Sequence, residues 1–220
     1  MFYLAIDHDI EVRTLHPEDA EAFFQLIERN RSRLRPWIHP NALPETISSA
    51  RKLTIESFLN SLPDPLDEQE NYPDYFQELD PYMPPLNPPM EMGIWVNGLL
   101  VGQIMLGRLQ ENFTGAEFGY WIDGESEGRG IVTQCVRGLM DYAIGNMGIE
   151  RFIIGCASEN RRSSAIPRRL GYRLLAMVPD GEIVGDFMYD RLIYEMQSNV
   201  WRERGKAGMQ RSTVADTQSH

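Results

Sequence analysis

The stretch from Ala116 to Ile144, AEFGYWIDGESEGRGIVTQCVRGLMDYAI, constrains the fold more than any other part of the chain. Phe118, Tyr120 and Ile122 alternate with Glu117, Gly119 and Trp121, a period of two in aromatic and β-branched residues that predicts a strand. Asp123 and Gly124 end it, a polar loop runs from Glu125 to Gly130, and Ile131, Cys135, Leu139, Tyr142 and Ala143 then recur at helical spacing. The first amides of a helix have no partner within the helix and carry the positive end of its dipole. Glycines at 128 and 130 let the loop turn its amides toward an anion. Strand, glycine loop and helix in this order make a phosphate or pyrophosphate seat with Arg129 at its rim; a plain connection without a ligand fits the same residues.

Two familiar phosphate motifs are excluded. A P-loop requires Gly-Lys-Ser/Thr ahead of the helix, and a dinucleotide fingerprint requires a third glycine where this chain has Thr133. The run Glu127-Gly128-Arg129-Gly130-Ile131-Val132 resembles the acyl-CoA pyrophosphate loop of the GNAT acyltransferases, Gln/Arg-x-x-Gly-x-Gly/Ala. The central glycine matches; Glu127 and Val132 depart from the pattern.

Around this unit the chain supplies further elements. Ile10 to Thr14 predicts a strand, and His16-Pro17-Glu18-Asp19 opens a helix whose apolar face is Ala20, Phe23, Phe24 and Ile27. Arg29, Arg31, Arg33 and Arg35 crowd its end before Pro36-Trp37-Ile38. A second helix spans Glu45 to Leu59. Glu91–Val96 and Leu99–Leu109 form a hairpin around Asn97-Gly98, the strongest short-range turn signal. Arg151 to Ala157 is a continuous apolar run and hence a buried strand. A helix over Asn160–Leu170 is followed by a strand to Val178, a turn at Pro179-Asp180-Gly181 and a last strand from Asp186 to Met196.

Leu62 to Met90 breaks this pattern. It holds eight of the fourteen prolines, seven acidic residues and no Lys or Arg, so it is neither central strand nor continuous helix. Its Leu66, Tyr72, Tyr75, Phe76, Leu79, Tyr82, Met83 and Leu86 are too apolar for a solvated linker. It reads as a flap that packs onto the domain, or that orders on binding a substrate or a second subunit; the resemblance to GNAT acyltransferases implies that it covers the acceptor entrance, where its carboxylates would steer cations. Residues 1–200 form a single domain carrying this 62–90 insertion, and 201–220 form a disordered tail.

The net charge of −11 argues against nucleic acid, whose backbone attracts basic surfaces, and suits an amine. Cys135 and Cys156 fall on different predicted elements and read as reduced thiols. The N-terminal residues have no leader pattern and no apolar run approaches membrane-spanning length, so a cytoplasmic location is expected, without a membrane partner. The four histidines are scattered and predict no metal site.

Glu159 to Tyr172, ENRRSSAIPRRLGY, resembles the Asn-x-x-Ser and Leu-Gly-Phe/Tyr segment of the RimJ/RimL-type GNAT acyltransferases, with Asn160, Ser163, Gly171 and Tyr172 at matching spacing. The likeness covers Ile10–Leu59 and Glu91–Trp201. It implies an α/β (α+β) fold: a twisted, mixed, mostly antiparallel sheet with helices on both faces and a splayed parallel strand pair, here Ala116–Ile122 and Arg151–Ala157. It implies acyl-CoA-dependent N-acyl transfer, acetyl-CoA to a primary amine, with no metal. The implied acyl-CoA contacts are Tyr120, Trp121 and Ile122 on the strand; Glu127, Gly128, Arg129, Gly130, Ile131, Val132 and Thr133 in the loop; and Asn160 and Ser163. An amide near Tyr120 or Trp121 would bind the oxyanion. Trp37, Tyr120 and Glu182 would line the acceptor site.

Many members of this superfamily carry a tyrosine acid seven residues after the Asn, where this chain has Pro167. The RimL-like alternative assigns the acid to Ser163 and the base to a Glu ten residues past the aromatic, which is Glu182. Glu117 is the second candidate base and Asp186 the third. Asn160 also reads as a helix N-cap, Ser163 as a first-turn serine, Glu182 as a solvated turn carboxylate and Trp37 as part of a solvated helix end. The acceptor implied is a protein N-terminus. A small amine, or a peptide side-chain amine taking a longer acyl group, is an alternative, as is a non-catalytic acyl-CoA-binding regulator; a homodimer is compatible with all three.

Overall fold

Asn97 and Gly98 both take positive φ, 50° and 75°, as a two-residue hairpin turn requires, and they join β3 (Pro85–Val96) to β4 (Leu99–Leu109). In this computed structural model, which describes residues 2–60, 85–109, 114–184 and 187–205, that hairpin is the middle of an eight-stranded sheet. The order along the chain is β1 (Tyr3–Ala5), β2 (Ile10–Thr14), α1 (Ala20–Leu34), α2 (Ile47–Asn60), β3, β4, β5 (Gly115–Ile122), α3 (Ile131–Asn146), β6 (Arg151–Ala157), α4 (Arg161–Leu170), β7 (Arg173–Val184) and β8 (Phe187–Gln197). A final helix, α5, occupies residues 198–205.

The strands lie in the order β1-β2-β3-β4-β5-β6-β8-β7, and every neighbouring pair except β5–β6 is antiparallel. The parallel pair is short. Gly115, Ala116 and Glu117 face Arg151, Phe152 and Ile153, and there the pairing stops, although both strands continue. Phe118 and Phe152 stack at 5.7 Å at the root of the resulting fork.

Alternation along the strands divides the apolar residues between the two faces. Met92, Ile94, Ile104, Phe118, Phe152 and Ile154 pack with Cys135, Val136, Leu139 and Met140 beneath α3 and α4. Trp95 and Leu100 pack with Leu15, Phe23, Leu26 and Ile27 beneath α1 and α2. The expected mixed sheet with helices on both faces is therefore the observed fold, as is the splayed parallel pair.

Several local expectations change. The strand expected from Glu91 begins at Pro85, inside the proline-rich segment. β2 pairs with β3 only from Met92 to Val96, so the proline-bearing stretch has β4 alone as its neighbour, the edge position in which prolines are tolerated, and the register to β4 shifts between Leu86 and Met90. The rest of the proposed flap, residues 61–84, lies outside the described residues. The turn expected at Pro179-Asp180-Gly181 is instead an irregularity within β7: the register to β8 shifts between Val178 and Glu182, and Asp180 takes φ 53°. The chain reverses after Val184 instead. β1, a short strand on β2, was not foreseen.

Residues 201–205, expected to belong to a disordered tail, are helical instead. Trp201 packs against the core beneath α3 and its indole N–H donates to Asp141 at 2.6 Å. Arg204 donates to the carbonyls of Leu170 (3.3 Å) and Gly171 (2.8 Å), placing a cation on the negative end of α4. Residues 206–220 lie outside the described residues.

Candidate functional site

The site is built around the fork. On the α3 side, a single turn at Gly124–Ser126 leads into Glu127, Gly128 at φ 73° and Gly130 at φ 76°, and Gly130 is the residue preceding α3. Those φ values favour glycine, and no heavy atom beyond the adjoining residues lies within 4 Å of where a Cβ would stand at either position. No side chain caps α3, so its first amides are left to face an anion. Arg169 borders them, donating to Thr133 Oγ1 at 2.7 Å.

Glu127, the departure from the expected loop pattern, stands between two arginines. It pairs with Arg33 at the end of α1 and, at 3.2 Å, with Arg162 on α4. Its negative charge thereby brings guanidinium groups to the loop. Arg33 also donates to the carbonyl of Ile122. One turn back on α1, Asn30 is 2% exposed and sits where the spacing of Phe23, Leu26, Ile27 and Leu34 calls for an apolar residue. Its amide donates to Leu26 O (2.8 Å) and Asp123 Oδ1 (2.9 Å), while its oxygen accepts from Gly124 N (3.0 Å). Burial alone would raise the Asp123 pKa, but hydrogen bonds from Arg29, at 2.6 Å, and Asn30 hold it below the usual carboxylate range. This polar strap ties α1 to the loop.

Inside the fork, Asn160 caps α4 by accepting from Ser163 N at 3.1 Å. Pro167 sits within α4, four residues after Ser163, and has no N–H to bond the Ser163 carbonyl. That carbonyl accepts from the Tyr120 hydroxyl instead, at 3.1 Å, which fixes the phenol of β5 against α4. The proline at this position thus frees the group that anchors Tyr120. Burial raises the Tyr120 pKa, opposed by a side-chain hydrogen bond with Ser163. Burial also pushes the Cys156 thiol up to about 11, against a hydrogen bond with Ser163. Trp121 and Ile122 diverge: Ile122 packs with the α3 core, whereas the Trp121 indole points to the α1 side and donates to Gln103 Oε1 at 2.9 Å.

The α1/α2 face of the fork carries charge. Glu117 on β5 accepts from Arg191 of β8 at 2.9 Å, and Glu182 lies 3.5 Å from the same guanidinium. Glu182 is therefore not a turn carboxylate: it lies on β7 opposite Tyr189. Trp37, just past α1, approaches the Tyr189 ring at 5.8 Å, so Trp37, Glu117 and Glu182 are brought to one side of the fork. Asp186 lies outside the described residues. Arg191 and Tyr189 escaped sequence reasoning; a charge inside the apolar run of the last strand was the available signal. Farther along this face, Glu91 accepts from Gln103 at 3.2 Å beside a cavity of about 60 Å³ lined by Leu15, Phe23, Ala42 and Leu53. Burial, with repulsion from Glu56, raises its pKa to about 7.

Among the described residues no His, Cys, Asp and Glu group is arranged to hold a metal, and no helix is long and apolar enough to cross a membrane. Cys135 and Cys156 are buried free thiols.

The family model described as acetyltransferase (GNAT) domain matches residues 9–173. The chain is 31% identical over 201 residues to the "Putative ribosomal N-acetyltransferase YdaF" of Bacillus subtilis (strain 168), covering 91% of this chain and 98% of that protein. A crystal structure of a "Probable acetyltransferase" superposes with a TM-score of 0.73 at 29% identity, over 91% of this chain and 99% of the other. The ribosomal L7/L12 alpha-N-protein acetyltransferase RimL, solved in complex with coenzyme A, shares the fold with a TM-score of 0.71 at 19% identity, over 89% of this chain and 98% of that one.

Proposed function

The chain belongs to the acetyltransferase (GNAT) family and is an N-acetyltransferase; from that premise we propose that it moves an acetyl group from acetyl-CoA to the α-amine of a protein N-terminus. A ribosomal protein is the acceptor class, as in the name of the Bacillus relative, and the cytoplasm is the compartment. The observation that carries the reading is the fork itself, with uncapped helix amides on one side and carboxylates on the other.

Acetyl-CoA supplies a thioester, whose thiol leaving group has an ordinary pKa near 8.5. Amides from Gly128 to Thr133 hold its pyrophosphate, with Arg129, Arg162 and Arg169 near the rim, and an amide of β5 beyond Glu117 takes the acyl oxygen. Tyr120, Trp121, Ile122 and Asn160 hold the walls of the fork around the pantetheine arm. Glu182, or Glu117 in its place, accepts the proton that the ammonium group must lose. As the carbon–nitrogen bond forms and the carbon–sulfur bond breaks, Ser163 donates a hydrogen bond to the departing sulfur, and the second proton released by the nitrogen passes to that sulfur, so that coenzyme A leaves as the thiol. Trp37 borders the entering amine.

Magnitudes favour an N-terminus over a lysine. An α-amine titrates near 8, so about a tenth is neutral at pH 7, whereas a lysine near 10.4 is neutral in fewer than about one molecule in a thousand. Carboxylates paired to an arginine are modest bases, adequate for the first task and poorly matched to the second. The test is thiol release from acetyl-CoA against peptides with free N-termini, N-terminally blocked lysine peptides and polyamines. Turnover on the free N-terminal peptides, with the acetyl group located on the α-amine by mass spectrometry, is the expected result. Turnover confined to lysine peptides or polyamines refutes the acceptor assignment.

A further inference from the structure

The charged cluster contains one group that the acid–base assignment leaves without a role. Arg191 lies on β8, Glu117 on β5 and Glu182 on β7, so the Glu117–Arg191 pair has to pass over β6. It passes at Gly155. A Cβ there would stand 2.7 Å from Arg191 Nη2, 2.8 Å from its Nε and 3.0 Å from Glu117 Oε1. A bare backbone on β6 thus leaves room for the pair. The Arg191 side chain is 14% exposed, against 23% for Glu117 and 27% for Glu182, so the cation lies deeper than the two carboxylates that open toward solvent.

We propose that Arg191 is a positioning residue that holds Glu117 and Glu182 as a two-carboxylate cradle for the ammonium group of the acceptor. The inference rests on the acyl-transfer reading above. Two carboxylates brought together without a cation disfavour joint ionisation, and one takes up a proton. Arginine does not give up its proton, so its charge is permanent. The trio carries a net charge of −1, which an entering ammonium neutralises. One carboxylate then takes the ammonium proton while the other and Arg191 keep the amine aimed into the fork. The Cys156 thiol on β6 feels the charges of Glu182 and Arg191, together with that of Arg168 on α4, and Tyr189 of β8 lies opposite Glu182.

The test uses the full chain with ¹³C-labelled glutamate carboxyls, in wild type, Arg191→Gln and Arg191→Lys. The titrations of Glu117 and Glu182, assigned with Glu117→Gln and Glu182→Gln, should move up by about one unit or more in Arg191→Gln. The acid limb of kcat/KM for an N-terminal peptide should move with them, while the acetyl-CoA Kd changes by less than about two-fold, the pattern of a group that acts on one substrate alone. Arg191→Lys keeps the charge but not the fork of donors, and should recover part of the pH profile. If Arg191→Gln does not fold, the lysine variant and the Glu117→Gln cycle decide. In that cycle, removing Glu117 must alter the Glu182 titration less in Arg191→Lys than in wild type. Carboxyl titrations that coincide in wild type and in every folded Arg191 variant overturn the proposal. A wild-type protein that acetylates no N-terminal amine sinks the acceptor reading separately, and the carboxyl titrations still judge Arg191.

Discussion

The two sides of the fork are assembled differently. On the α3 side, the proposed acetyl-CoA seat is one run, Glu127 to Thr133, whose working groups are backbone amides shaped by two positive-φ glycines. On the α1/α2 side, the proposed acceptor site gathers Trp37, Glu117, Glu182, Tyr189 and Arg191 from four separate segments, and its working groups are side chains. A backbone seat tolerates change in any side chain that leaves its conformation intact. A side-chain site can be retuned one residue at a time. The common donor can therefore be served by a fixed local motif while the acceptor changes.

That contrast breaks most sharply at Gly130. Gly130→Asp places a Cβ at φ 76° and a carboxylate beside the pyrophosphate position, and should weaken acetyl-CoA binding on the order of 100-fold, about 3 kcal/mol. Calorimetry on the folded variant checks it, and unchanged affinity would remove the loop from the donor site. The next largest effect concerns the strap joining the two sides. Asn30→Ala leaves Asp123 and the Gly124 amide short of partners inside the protein and should cost about 2 kcal/mol of stability in denaturant unfolding.

Ser163→Ala tests the interior of the fork, where both sides meet. It should lower kcat by roughly 10-fold with little change in acetyl-CoA affinity, because the lost hydrogen bond strengthens only as charge develops on sulfur. Steady-state kinetics beside a binding isotherm separates the two; equal losses in both would make Ser163 a ground-state contact.

The smallest effect belongs to Glu91. Its folded pKa of about 7 exceeds its ordinary 4.5, so between those values the folded state holds a proton that the unfolded state has released. This contribution makes stability fall as pH rises from 4.5 to about 7 and then level off. Glu91→Gln should flatten that decline and, discounted for the adjoining cavity, add about 1 kcal/mol above pH 7. Thermal melts at acid and alkaline pH provide the check.

Sequence alone was enough for elements whose cause is local. The strand, loop and helix around Gly130, the Asn97-Gly98 hairpin and the Asn160 cap depend on φ preferences and on contacts three or four residues apart, so their order along the chain specifies them. The extension of β3 into the prolines and the irregularity at Asp180 depend on what lies on the neighbouring strand, which no local pattern encodes. The Pro167 position could be read as the loss of a tyrosine, but not as the release of a carbonyl to Tyr120, because that partner comes from another strand. The sharpest case is the pair of glutamates. Glu117 and Glu182 could be picked out as carboxylates of the expected kind in the sequence, yet only the sheet order sets them on either side of Arg191. A charge's energy depends on its distance to every other charge, and those distances are fixed by packing rather than by position in the chain.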